Sequence, residues 1–146
     1  MQGSSPRKPI AYPPNEGRDL TSILLHAMDL GASDIHITVG DPPLYRLHGS
    51  VQPTDLPGLN KDELHKMLYD ILGDDQRRLL ERDRELDFAL QFGNIGRFRV
   101  NCFYTMRGEG AVFRVIPSKI MTIEELKMPP VIRKIADKSK GLCLVT

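Results

Sequence analysis

The apolar positions along this chain change period several times, and each change marks an element. Leu20, Ile23, Leu24, Ala27 and Met28 recur at helical spacing, which predicts a helix from near Asp19 that stops at Gly31. Ile35, Ile37 and Val39 then alternate with Asp34, His36 and Thr38, a period of two that predicts a strand. Gly40-Asp41-Pro42-Pro43 is a turn and Leu44–Leu47 a second strand. Gly49-Ser50 turns again, and a third strand runs from Val51 towards Leu56, with Pro53 confining it to an edge or an irregular ladder. Asn60-Lys61-Asp62-Glu63 reads as a capping box ahead of the stripe Leu64, Met67, Leu68, Ile71 and Leu72, which Gly73 ends. A charged helix over 74–84 is anchored by Leu79 and Leu80. Long strands are expected over Glu85–Phe92, Arg97–Met106 and Gly110–Ile116. A short turn at 122–126 and a proline-initiated helix over 130–138 follow.

Consecutive strands joined by short turns predict an antiparallel sheet with helices on one face, the α+β class. Residues 1–18, rich in Pro, Gly, Ser, Asn and charge, read as a mobile tail, because folding them orders much backbone for little apolar burial. The run Gly141-Leu142-Cys143-Leu144-Val145-Thr146 is uninterrupted and apolar, which suits a strand buried on both faces of a parallel sheet. Nothing earlier builds such a sheet. Two readings stay open: a last antiparallel strand of the same sheet, or the first strand of a further domain.

The length of 146 residues predicts one domain, or one domain with an added element, able to bury a core without disulfide or metal staples. Lys plus Arg number 20 against 19 Asp plus Glu, a net charge of +1. This balance excludes a dominant polybasic surface but not a local basic face. Cys102 and Cys143 form neither a disulfide framework nor a four-ligand zinc set and are expected in the core of a protein from a reducing compartment. No apolar stretch approaches the roughly 20 residues that cross a bilayer, and the first nine residues lack a secretory h-region. Membrane association is therefore expected only through a partner.

The hairpin from Arg97 to Ile116 carries the best chemistry. Alternation puts Phe98, Val100, Cys102 and Tyr104 on one face and Arg97, Arg99, Asn101 and Arg107 on the other. A turn over Arg107-Gly108-Glu109-Gly110 pairs Met106 with Ala111 and Arg114 with Phe103, so that Arg99 and Arg114 lie ~13 Å apart along the sheet. Long side chains there can converge on one polyanion, and arginine meets phosphate as a planar, always charged fork. Ordinary arginines of a solvated face remain the alternative. Asp34 and His36 share a strand face without a third metal ligand nearby, so a structural role for Asp34 and a surface or interface role for His36 are expected. His26, His48 and His65 read as surface residues. Asp83, Glu85 and Asp87 read as a charged helix end running onto a strand's outer face rather than a metal trio.

Several segments, in order, resemble one family. They are Gly31-Ala32-Ser33-Asp34-Ile35-His36, Pro42-Pro43 with Arg46 and Gly49, Gly96-Arg97-Phe98-Arg99-Val100-Asn101, Gly110 to Pro117, and Gly141 to Thr146. Over residues 19–146 the chain resembles the N-terminal domain of the type IV pilus retraction ATPases, the PilT type of the type II/IV secretion ATPase family. The resemblance implies a PAS-like domain over 19–117, a linker with a short helix over 118–140, and in 141–146 the first strand of a RecA-like ATPase domain. It implies that Arg99 and Arg114 reach the phosphates of ATP, with Arg97 and Arg107 matching less firmly, and that the P-loop holding ATP and Mg²⁺ lies outside these residues, so that the chain alone is inactive. It implies a homo-hexamer that powers pilus retraction and twitching motility from the cytoplasmic side of the inner membrane, against a platform protein of the pilus machine. Nucleic acid and direct membrane insertion are not expected as partners. A PAS-like ligand-sensing module, which requires an apolar pocket, and a nucleic-acid-binding module are the alternatives.

Overall fold

The computed structural model describes residues 8–144. Two compact units divide the chain, one running to Ile116 and one from Pro117 onward. In the first unit, α1 (Leu20–Asp29) begins where the Asp19 carboxylate accepts from the Ser22 backbone N–H at 3.1 Å. It ends at Gly31, whose φ of 73° is open to glycine without strain. The strands β1 (Asp34–Thr38), β2 (Leu44–Leu47) and β3 (Ser50–Pro53) follow. The expected capping box opens α2 (Lys61–Tyr69): Asn60 and Glu63 exchange side-chain and backbone hydrogen bonds at 2.9 and 3.0 Å. Then come α3 (Asp74–Asp83), β4 (Glu85–Phe92), β5 (Gly96–Thr105) and β6 (Gly108–Ile116).

The six strands form one sheet in the order β3-β2-β1-β6-β5-β4, and every pairing between them is antiparallel. Chain order would leave β1–β3 and β4–β6 as two separate meanders. They become one sheet because β1 zips onto β6, from Asp34↔Arg114 to Thr38↔Gly110. One face of the sheet is apolar: Ile35, Ile37, Phe98, Val100, Cys102, Ala111 and Phe113 are fully buried there. Ile23, Leu24 and Ala27 of α1, Leu64 and Leu68 of α2 and Leu80 of α3 join the same core. Phe98 and Phe113 meet edge to face, with ring centroids 6.2 Å apart. The fold is the expected α+β arrangement, and among the described residues of this unit the three helices lie against the apolar face.

At residues 8–18 the structure differs from the expected mobile tail. The Ile10 N–H donates to the Pro53 carbonyl at 2.8 Å, and the Asp55 N–H to the Ile10 carbonyl at 2.9 Å. Tyr12 is buried; its N–H donates to Asp55 Oδ1 and its hydroxyl to the Gly17 carbonyl, each at 2.8 Å. Two apolar side chains, Ile10 and Tyr12, are enough to seat this strap beside β3, because Pro-rich backbone brings few N–H groups that need partners. The beginning of the expected tail, residues 1–7, lies outside the described residues. Burial of Tyr12 also explains why His26 is not a surface residue. It is buried against the Tyr12 ring at 4.7 Å, with Nδ1 3.3 Å from the Tyr45 hydroxyl.

In the second unit, α4 (Pro130–Ala136) starts at its proline as expected. Gly141–Leu144 belong to no strand, and Leu142 and Leu144 are exposed. Cys143 is exposed as well, contrary to the expectation of a core residue, because the segment around it packs into no sheet. Val145 and Thr146, which complete the expected strand, lie outside the described residues.

Candidate site on the open face of the sheet

Alternation places a second set of side chains on the open face. β4 contributes Glu85, Asp87, Ala89 and Gln91; β5 contributes Arg97, Arg99, Asn101 and Phe103; β6 contributes Val112, Arg114 and Ile116. Arg97, Arg99 and Arg114 are exposed there. The register differs from the sequence expectation. The hairpin turns over Met106 and Arg107 alone, so Thr105 pairs with Gly108, and Arg99 stands directly opposite Arg114. The pair is therefore about 5 Å apart at Cβ rather than ~13 Å along the sheet. Gly108, at φ 138°, begins the return strand, and the Thr105 hydroxyl donates to its carbonyl at 3.0 Å while accepting from the Arg107 N–H at 3.2 Å. These contacts close the shorter turn. The change of loop length is even, so the face assignment of both arginines survives.

Arg107 leaves the face. It sits in the turn beyond Thr105, which is itself six residues along β5 from Arg99, about 20 Å, and its guanidinium binds Asp41 at 3.1 and 3.3 Å. It joins the hairpin tip to the β1–β2 turn and is not on the strand face with Arg97 and Arg99. Arg97 does remain on that face, one pleat from Arg99, opposite Gln91 and Ile116.

Register assembles a charged row across four strands: Arg99, Arg114, Asp34 and Arg46 occupy successive opposite positions on β5, β6, β1 and β2. Asp34 is its buried centre. Its Oδ1 accepts from Arg114 Nε at 2.9 Å, and its Oδ2 from the Ser33 hydroxyl at 2.9 Å with Arg46 Nε at 3.1 Å. Burial pushes the Asp34 carboxyl up, but the hydrogen bonds from Arg114 and Ser33 and the two guanidinium charges outweigh it and hold it below the usual carboxylate range. Asp87 is held below that range chiefly by its hydrogen bonds from Arg99, the shorter one being Nη2 to Oδ2 at 2.6 Å. Asn101 donates to Glu85 Oε1 at 3.0 Å. Between these groups lies a hollow of about 300 Å³, floored by Val112 and bounded by Arg99, Arg114, Asn101, Asp87 and Glu85.

The remaining sequence candidates fall elsewhere or have other work. His36 lies half-buried on the open face opposite Val112 and Leu44; its Nε2 is buried without a hydrogen-bond partner, and burial lowers its pKa. Asp87 and Glu85 engage Arg99 and Asn101, and among the described residues no three His, Cys, Asp or Glu side chains converge on a common point. The Cys102 thiol is buried and pushed up to about 12 by desolvation and by Glu109. His65 has a partner that spacing did not reveal: its Nδ1 lies 2.8 Å from Oε1 of buried Glu109, which also accepts from the Tyr104 hydroxyl at 2.9 Å. That contact ties α2 to the hairpin bearing Arg99 and Arg114. The apolar space beneath the sheet, where a ligand-sensing module needs its pocket, is filled by fully buried side chains. A larger hollow of about 560 Å³ opens instead at the rim between α1 and α2, where Leu20, Met67, Ile71 and Phe92 share the lining with charged Arg18, Asp19, Glu63, Lys66 and Asp70.

Sequence reasoning placed Arg99 and Arg114 on one face and missed that Arg46 and Asp34 continue their row. The signal for that row is the β1–β6 pairing, which joins residues 80 positions apart and leaves no local pattern.

No family model matches the chain. Against individual proteins the likeness is strong. The chain is 44% identical over 128 residues to the type IV pilus retraction ATPase PilT of Pseudomonas aeruginosa, covering 88% of this chain and 37% of that protein. It is 40% identical over 123 residues to a twitching motility protein of Neisseria gonorrhoeae, covering 80% of this chain and 33% of that one. Its fold matches the crystal structure of the pilus retraction motor PilT with bound ADP at a TM-score of 0.72 and 31% identity, over 84% of this chain and 36% of that one. The chain thus spans about a third of the length of the relatives it matches. An antiparallel α+β domain of matching topology, at this level of identity, places the chain in the PilT type of the secretion ATPase family, over the stretch that forms their N-terminal domain.

Proposed function

We propose that this chain is the nucleotide-facing domain of a hexameric type IV pilus retraction motor, and that Arg99 and Arg114 contact the phosphates of ATP in the intact protein. The observation that carries the reading is their register: two exposed guanidiniums on opposite positions of neighbouring strands, beside one hollow. The hollow fits a run of phosphates better than a nucleobase, since its floor is a single valine and its walls are charged or polar. Arginine suits the task because charge develops on the transferring phosphoryl oxygens and a planar fork meets two of them at once. Arg97, one pleat away, extends the positive edge.

The chemistry is divided. The 146 residues contain no Gly-x-x-x-x-Gly-Lys-Ser/Thr phosphate loop; in the proposed motor, nucleotide and Mg²⁺ are held by the P-loop of a RecA-like domain. Bound nucleotide supplies the phosphoanhydride bond whose hydrolysis drives motion. This domain adds positive charge to the phosphates and, with α1 and α2 turned away from the open face, a surface for packing within a homo-hexamer. The motor works in the cytoplasm against an inner-membrane platform protein of the pilus machine. No helix among the described residues is long and apolar enough to cross a membrane, in keeping with attachment through such a partner.

Steady-state ATPase activity of intact-protein variants tests the reading. Arg99→Ala and Arg114→Ala are expected to lose about tenfold or more in turnover, less than the ~10³-fold of a sole arginine finger, with assembly and circular dichroism unchanged. Arg99→Lys is expected to restore little, because an ammonium lacks the fork. Lys61→Ala, at the start of α2, is the silent control. Wild-type turnover in both alanine variants would make these arginines ordinary surface charge.

A further inference from the structure

Arg99 and Arg114 face each other across β5 and β6, yet their guanidiniums are bound differently. Arg114 gives Asp34 only its Nε, at 2.9 Å, and its side chain is 69% exposed. Among the described residues no other acceptor holds its two Nη groups. Arg99 gives Asp87 a whole edge, Nε at 3.2 Å and Nη2 at 2.6 Å. Phosphate is met by paired N–H groups, so Arg114 has such an edge free and Arg99 has one occupied.

The two carboxylates differ in the same sense. The Asp34 side chain is 7% exposed and is fixed by Ser33 and Arg46 in addition to Arg114. Removing it from its arginines leaves a buried charge uncompensated. The Asp87 side chain is 43% exposed and binds Arg99 alone. An exposed pair of that kind is weak and screened by salt, so a competing anion can take its place.

We infer that Asp34 is a positioning residue that holds Arg114 by Nε with its Nη edge presented to the hollow, whereas Asp87 occupies the phosphate-binding edge of Arg99 until a polyphosphate displaces it. This division of labour rests on the reading of both arginines as phosphate contacts. It assigns the two carboxylates opposite effects: one builds the site, the other competes with its ligand. Arg46 takes part through Asp34, because its charge shares the buried carboxylate and leaves Arg114 less tightly bound by it.

Simple Coulomb reasoning makes a different claim, that loss of either negative charge tightens any anion. The two claims separate in a titration of the 146-residue chain with tripolyphosphate, followed by backbone and arginine Nε–Hε resonances. Asp87→Asn is expected to tighten binding about threefold, the scale of an exposed ion pair. Asp34→Asn is expected to weaken it about fivefold although it removes a negative charge. Asp75→Asn, exposed on α3, reports the general effect of charge. Should Asp34→Asn unfold, Arg114→Lys decides without touching Asp34. Lysine keeps the charge but spends its one ammonium on the carboxylate, so it is expected to bind no better than Arg114→Ala. Tightening by Asp34→Asn to the extent seen for Asp75→Asn, or wild-type affinity in Arg114→Lys, would overturn the positioning role while the arginines remain phosphate contacts. Equal affinity in wild type, Arg99→Ala and Arg114→Ala would remove the underlying reading and this inference with it.

Discussion

The two faces of this sheet are made by the same strands and obey different physics. Towards the helices, Ile35, Val100, Phe98 and Phe113 lose all contact with water, and that burial stabilises the fold. On the open face the same strands present Arg99 and Arg114, which keep hydration and charge, beside the half-buried amide of Asn101. A period of two is all that separates the two functions, so a one-residue slip in β5 or β6 would exchange stability for chemistry at every position. The comparison teaches that the apolar face fixes the register and the register delivers the arginine pair.

Breaking the apolar face is expected to have the largest effect. Phe113→Ala removes a fully buried ring and its edge-to-face partner contact with Phe98. The expected loss is about 4 kcal/mol in urea unfolding of the chain. A loss under about 1 kcal/mol would mean that the sheet is held by something other than this core.

Asp34 blurs the division, since it lies on the open face yet is buried like a core residue. Asp34→Ala removes a buried carboxylate with its hydrogen bonds from two guanidiniums and a hydroxyl and leaves the arginines in solvent, so about 2 kcal/mol is the expected cost near neutral pH. The sign of its pH dependence follows from its lowered pKa. A carboxyl with a depressed folded-state value contributes stability in full above its unfolded value, about 3.9, and loses it as pH falls through the folded one. The gap between wild type and Asp34→Ala should therefore be wide at pH 7 and shrink below about pH 4. Urea midpoints at pH 7, 5 and 3.5 measure it. A gap that widens in acid would contradict a carboxylate stabilised by arginine.

These two positions also show what was legible in the sequence. Phe98, Val100 and Cys102 announce the buried face by alternation, and the capping box at Asn60–Glu63 announces α2, because both are local patterns. The hairpin length was not legible. Gly108-Glu109-Gly110 looks like the turn, but Glu109 is buried under α2 by His65 and Tyr104, which draws the strand in and moves the turn to Met106 and Arg107. The Asp34 row was not legible either, since β1 and β6 are joined only by tertiary pairing. At the strap, composition misled: proline and glycine content suggests disorder, while Ile10 and Tyr12 supply enough apolar contact for docking.

That strap gives a prediction of intermediate size. Tyr12→Ala removes the ring that covers His26 and the hydroxyl bond to Gly17. About 2 kcal/mol is expected, the scale of one buried aromatic side chain, together with faster hydrogen exchange at the Ile10 and Asp55 amides. Unchanged exchange at those amides would show that the β3 contacts alone hold the segment.

The smallest effect on stability is expected at Arg99, and its smallness is what sharpens the contrast between faces. The Arg99 and Asp87 side chains are 66% and 43% exposed, and their ion pair sits in solvent. Solvent screening and the entropy of fixing two side chains cancel most of the attraction of such pairs. Arg99→Ala and Asp87→Asn should each leave the urea midpoint of the chain within experimental error, at low and at moderate salt. The same substitutions are expected to change tripolyphosphate binding in opposite directions, weaker for Arg99→Ala and tighter for Asp87→Asn. A residue that matters to the ligand and not to the fold is the mark of a face kept for chemistry. If Arg99→Ala instead lowers the midpoint as Asp34→Ala does, then Arg99 is part of the scaffold, and the open face is an extension of the core rather than a binding surface.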